Sequence, residues 1–156
     1  MKILLAVDGS MCSDAAVAEV AQRPWPKGSE VKIISVAELP HLPVLKPESL
    51  PLHYEEEIKK AAYDRASALV ANAADTLRQS TSQDLQLTTE VIMDSPKEAI
   101  IEEAERWHAD LVIVGSHGYR GYERSLLGSV SQAVASQARC SVEIVRCPKA
   151  SESEDE

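Results

Sequence analysis

Short apolar runs alternate along this chain with stretches whose apolar residues recur at helical spacing. Apolar strands are read near 2–8, at 31–37, at 87–93, at 111–114 and at 141–146. Between them lie four helical patterns. The first, near 13–22, places Val17, Val20 and Ala21 on one face, and Pro24, Pro26 and Gly28 stop it. The second is long and amphipathic, with Ile58, Ala61, Ala62, Ala66, Leu69, Val70, Ala73 and Leu77 in line. The third opens on Ser95, Pro96 and Glu98, read as a capping box with proline at the first helical position. Its inner face is Ile100, Ile101, Ala104 and Trp107. The fourth carries Val130, Ala133, Val134 and Ala138. Strict alternation of this kind implies an α/β fold, a parallel sheet with helices on both faces. Right-handed crossovers leave few topologies open.

The strand at 111–114 runs directly into Gly115, Ser116, His117 and Gly118. Nine residues later come Gly128, Ser129, Val130 and Ser131. A strand that ends in glycine, crosses a loop and enters a helix through Gly-Ser lets backbone N–H groups surround an anion. Gly115 and Gly118 are expected to turn tightly and to let a ligand approach the backbone. Ser129 is expected to cap the helix, with Gln132 completing a capping box. The positive end of the helix would then face a bound phosphate. No Gly-Lys-Ser/Thr follows, so this is not a Walker loop, and it is not the Gly-x-Gly-x-x-Gly dinucleotide fingerprint. Arg124, and to a lesser degree Arg120, could reach a phosphate or could pair with surface carboxylates such as Glu123. His117 reads as a general base or as a solvated loop histidine. Asp8, Gly9 and Ser10 follow the first strand. They read either as a carboxylate accepting from ribose hydroxyls or as a turn that caps the first helix.

Together, the Gly-x2-Gly-x9-Gly-Ser spacing at 115–129, the opening from Lys2 to Ser10 and the ending from Ala138 to Arg146 resemble the universal stress protein family. The likeness spans residues 1–147. It implies an open doubly wound five-stranded parallel sheet of order 3-2-1-4-5, with helices on both faces. In that order strands one and four are neighbours, and the crevice beyond their C-terminal ends is a topological switch point. The resemblance implies ATP binding, with Mg²⁺ or Mn²⁺ held mainly through phosphate oxygens and water. It places Asp8 near the nucleotide, and it has adenine received at Val36 and Ala37 through backbone groups and apolar contact. It also implies a homodimer and a role in stress adaptation.

Composition bounds the alternatives. A chain of 156 residues is read as one domain over 1–147, followed by an acidic tail over 148–156 that is expected to be disordered. The net charge of −9 disfavours nucleic acid and anionic lipid. It also repels ATP, so a phosphate site here must rely on local N–H groups, a few basic residues and a divalent cation. No apolar run is long enough for a membrane span, and Met1 leads at once into a strand, so the expected compartment is the cytoplasm. Cys12, Cys140 and Cys147 make no Cys-x-x-Cys pair and are odd in number. They are therefore expected to be reduced thiols without a disulfide framework. The proline-rich segment at 40–51 is expected to be a stiff loop, able to fold over the crevice or against a neighbouring subunit.

The function expected is that of an ATP-binding regulatory, stress-response protein acting through an unidentified protein partner, with at most slow ATP hydrolysis. The alternatives are a nucleotide-dependent enzyme of the related ATP-binding α/β group and a nucleotide-free interaction module. No Gly-x-Ser-x-Gly elbow supports hydrolase chemistry. The strand from Ser141 to Arg146 is expected at a sheet edge, where apolar character invites antiparallel pairing with a second copy.

Overall fold

The computed structural model describes residues 1–39, 53–80, 84–118 and 127–147. Their elements run in the order β1 (Lys2–Ala6), α1 (Met11–Gln22), β2 (Glu30–Val36), α2 (Tyr54–Ser80), β3 (Gln86–Ile92), α3 (Pro96–Arg106), β4 (Leu111–Gly115), α4 (Ser129–Gln137) and β5 (Ser141–Val145). The five strands form one sheet of order β3-β2-β1-β4-β5, and each neighbouring pair is parallel. The expected topology is therefore present. β1 and β4 lie side by side, with Ile3 opposite Leu111 and Leu5 opposite Ile113.

The central strands are apolar on both faces because helices cover both. Ile3, Leu5, Val31, Ile33 and Ile113 pack against Val17 and Val20 of α1 and Val70, Ala73 and Leu77 of α2. On the other face Leu4, Ile34, Val112 and Val114 meet Ile100 and Ala104 of α3 and Val134 of α4. β3 has no fully buried residue, its Gln86, Thr88 and Thr89 being exposed and the rest half-buried, as suits an edge strand. β5 forms the opposite edge. Its Val142 and Ile144 turn to the α3/α4 face and Val145 to the α1/α2 face.

Three local expectations need correction. The first concerns cysteine: Cys12 and Cys147 form a disulfide, and only Cys140 is a free thiol. The pair is 135 residues apart in sequence and is joined because α1 lies over β4 and β5, an adjacency that Cys spacing cannot reveal. The second concerns α4, whose N-cap is Gly128 with no side-chain cap; Ser129 is already helical. The Ser131 hydroxyl instead donates to the carbonyls of Ser116 and Gly128, at 2.9 and 3.0 Å, so no capping box forms with Gln132. The third concerns α3. Ser95 is its N-cap and Pro96 opens it, but the Ser95 hydroxyl bonds the Glu98 carboxylate and caps no backbone N–H. The acidic tail at 148–156 and the proline-rich segment at 40–51 lie outside the described residues.

Candidate functional site

Two turns meet above the C-terminal ends of β1 and β4. After β1 the chain passes Asp8 and Gly9 into α1, whose N-cap is Ser10. The Asp8 carboxylate accepts from the Ser10 N–H at 2.9 Å through Oδ1. Gly9 stands at φ 78°, a left-handed conformation that L side chains rarely adopt. The Ser10 hydroxyl accepts from the Ser13 N–H at 3.2 Å and caps α1. That same hydroxyl donates to the carbonyl of His117 at 3.2 Å and ties the first turn to the second.

The second turn follows β4. The Ser116 N–H donates to the carbonyl of Val145 at 2.8 Å, and the Gly128 N–H donates to the carbonyl of Ser116 at 2.8 Å. The start of α4 is thereby pressed against residues 116 and 117. Neither Gly115, Gly118 nor Gly128 has a positive φ. What each position requires is the absence of a Cβ. At Gly115 it would lie 2.7 Å from the backbone carbon of Cys12, at Gly118 2.9 Å from Asp8 Oδ2, and at Gly128 3.1 Å from the carbonyl oxygen of Ser116. The glycine spacing thus encodes close approach between segments rather than unusual backbone angles.

The result is a small crevice with a definite polarity. On one wall is the N-terminus of α4, a nine-residue helix without a side-chain cap. Its first intrahelical bond runs from Gln132 N–H to the Gly128 carbonyl, at 2.9 Å. The N–H groups of Ser129, Val130 and Ser131 precede it and have no acceptor within the helix. On the other is the exposed Asp8 carboxylate, its Oδ2 beside Gly118. One wall suits an anion, and the other suits hydroxyl donors. Among the described residues, no group of three or more His, Cys, Asp or Glu side chains could hold a metal ion.

His117 stands beside this crevice. Its Nδ1 is 3.1 Å from Ser116 Oγ, and Ser116 Oγ is 3.5 Å from Cys12 Sγ. Its Nε2 is buried and has no hydrogen-bond partner among the described residues. Arg120 and Arg124 lie outside the described residues.

Val36 ends β2, and Ala37 is buried, its N–H donating to the Ile92 carbonyl at 2.8 Å. Beside them is a pocket of about 220 Å³ lined by Ala37, Glu38, Leu39, Met93, Asp94 and Ser95. The contribution of Met93, Asp94 and Ser95 is absent from the sequence reading. The strand order contained the signal for it, because β3 neighbours β2 and its C-terminal end must open on the same side. A hollow of similar size lies among Trp25, Pro26, Lys27, Asp84 and Leu85, before β2 and β3, at the opposite end of the sheet from both turns.

Comparison with known proteins bears on this geometry. The sequence model described as "Universal stress protein family" matches residues 1–146. A universal stress protein of Thermus aquaticus is 32% identical over 92% of this chain and 97% of its own length. Other curated relatives are longer than the match. The aligned region spans 38% of a universal stress protein of Methanocaldococcus jannaschii and 47% of one from Mycobacterium tuberculosis. Among solved structures, the hypothetical protein MJ0577 superposes with a TM-score of 0.79 at 25% identity, covering 96% of this chain and 97% of that one. A family protein from Arabidopsis thaliana, solved with AMP bound, superposes with a TM-score of 0.68 at 16% identity, over 96% and 93% of the two chains.

Proposed function

Because the chain belongs to the universal stress protein family, we propose that its crevice binds an adenine nucleotide, ATP with Mg²⁺ or Mn²⁺, and that it acts as a regulator through partners. One observation carries this reading: the turn after β4 is packed at Gly118 against the Asp8 carboxylate and at Ser116 and His117 against Gly128, the N-cap of α4, which has no side-chain cap. The N–H groups of Ser129, Val130 and Ser131, with the Ser129 hydroxyl, receive the phosphates. Asp8 Oδ2 accepts from the ribose hydroxyls. Adenine enters the pocket beside Val36 and Ala37, between Leu39 and Met93. The cation neutralises phosphate charge and keeps most of its ligands from phosphate and water. The AMP bound to the Arabidopsis relative supports the base and ribose part of this assignment.

His117 is held by Ser116, and Asp8 spends one carboxylate oxygen on its own turn. The site is therefore built to hold a nucleotide, and its hydrolysis falls well below the ~10 s⁻¹ typical of enzymes. We place the protein in the cytoplasm as a homodimer joined through β5. Denaturing the purified protein and weighing the released small molecules tests the ligand class. An adenine nucleotide in near-stoichiometric amount is the expected result. Apo protein that also fails to take up ATP on incubation contradicts the assignment.

A further inference from the structure

We propose that Cys12 and Cys147 are a reversible redox site whose reduction releases the C-terminal end of β5 from the glycine turn. The proposal stands whether or not a nucleotide binds. β5 is clamped to α1 at both ends. Near the C-terminal end of α1, Arg23 donates to both carboxylate oxygens of Glu143, at 2.6 and 2.7 Å. At its N-terminal end, Cys12, the second residue of α1, is bonded to Cys147, two residues beyond β5. The first clamp is an ion pair that no thiol chemistry touches. The second opens with two electrons.

The two sulfurs are not equivalent. Cys12 is 2% exposed, whereas Cys147 is only half-buried, so a thiol reductant reaches Cys147 first. Cys12 then departs as a thiolate from the first turn of a helix, where the dipole favours negative charge. Ser116 Oγ stands 3.5 Å away to donate to that thiolate. The better leaving group is therefore the sheltered sulfur. A dithiol completes the step. Its first thiolate attacks Cys147 Sγ, breaking the protein disulfide and releasing Cys12. Its second thiolate attacks the mixed disulfide and releases Cys147. The dithiol leaves as a disulfide, and the protein gains two thiols. A peroxide reverses the change: it oxidises one thiolate to a sulfenic acid and leaves as water, and the other thiolate then attacks the sulfenic sulfur, breaking its S–O bond and expelling hydroxide, which is protonated to the second water. The two thiols and one peroxide thus give one disulfide and two waters. Cys140 is set apart from this chemistry, because burial pushes its thiol up, away from the reactive thiolate form.

The site is coupled to the turn by contact. The Cys12 backbone touches the place where Gly115 would carry a Cβ, and the Ser116 N–H bonds Val145, two residues before Cys147. Opening the disulfide removes the covalent tie beyond that bond and leaves the end of the β4–β5 ladder, where Gly115 pairs with Val145, to hold this segment. The test uses the full chain. Thiols are titrated in denaturant, the cross-linked peptides are mapped, and amide exchange is followed in both redox states. The expected result is one free thiol in the isolated protein, three after dithiothreitol, and one again after equimolar hydrogen peroxide, with Cys12 joined to Cys147. Exchange at Ser116 and 145–147 should quicken about tenfold on reduction, with β1 and β2 unchanged. Cys147→Ser, which buries no new hydroxyl in the core, should exchange as the reduced protein does. Three thiols after peroxide, a cross-link to Cys140, or equal exchange at Ser116 in both states would overturn the proposal.

Discussion

At the residue scale, Glu103 is the one buried charged side chain among the described residues. Lys32 of β2 lies 2.7 Å from Glu90 and 2.6 Å from Glu103, and the Glu103 side chain is only 3% exposed. Burial alone would push the Lys32 ammonium down, but its hydrogen bonds to Glu103 and Glu90 outweigh that and leave it raised. Glu90 is held below the usual carboxylate range, first by its hydrogen bond from Lys32. Removing Lys32 takes one charged donor from buried Glu103 and leaves it the bond from Arg106 Nε, at 2.7 Å, so Lys32→Ala should cost about 2 kcal/mol in denaturant melts. Lys60→Ala breaks an exposed pair with Asp64 and should cost under about 1 kcal/mol. The sign of the pH dependence follows. A lowered carboxylate stabilises above its ordinary value, about 4.3, and that support is lost as pH falls through the lowered value. A raised lysine stabilises below about 10.4 and loses its support as pH rises past the raised value. The gap between wild type and Lys32→Ala should therefore be widest between these limits and narrow in acid. None of this network was legible in the sequence, since Lys32, Glu90 and Glu103 sit on three elements. The glycine positions were legible, though the reason for them was not. Spacing marks where a Cβ is excluded, and only folded neighbours show what excludes it.

At the scale of elements, hydrophobic period located the strands and helices because each buries one continuous stripe, as Val17, Val20 and Leu77 do. Caps were less legible. Ser95 and Ser129 occur where a cap is expected, yet their hydroxyl chemistry is decided by which neighbour competes for it. β5 illustrates a further point. Glu143 could have served as an edge charge that discourages pairing, but Arg23 engages it on the α1 side, where the hydrogen bonds to Glu143 raise the guanidinium. The carbonyl of Val145 points to β4. By strand geometry the N–H and C=O of Ile144 point the other way, to the open edge. Ile144→Pro thus removes an outward donor and spares the ladder to β4. Light scattering of the wild type at high micromolar concentration should give twice the chain mass of 17.0 kDa. Ile144→Pro should give the chain mass with unchanged far-ultraviolet dichroism. A wild-type protein at the single-chain mass contradicts the dimer.

At the scale of the whole molecule, alternation fixed a parallel sheet covered on both sides, while the order 3-2-1-4-5 came from the family resemblance and is present in the structure. That order makes distant segments local. It brings Asp8 to Gly118, and Met93 to Ala37. It also joins Cys12 to Cys147, the contact that composition pointed away from. The central claim is that the crevice between the β1 and β4 turns holds a nucleotide. Calorimetric titration of Mg·ATP into the wild type and into Gly118→Val tests it most directly, with melting curves of both proteins alongside. Among the described residues a Cβ at 118 collides with Asp8 Oδ2 and with no backbone atom, so the variant should keep its fold and lose its site. The account predicts one saturable site per chain in the wild type, with stabilisation near 2.7 kcal/mol at a hundredfold excess over Kd. It predicts neither heat nor stabilisation in Gly118→Val. No binding by the wild type, or equal binding by the variant, would contradict it.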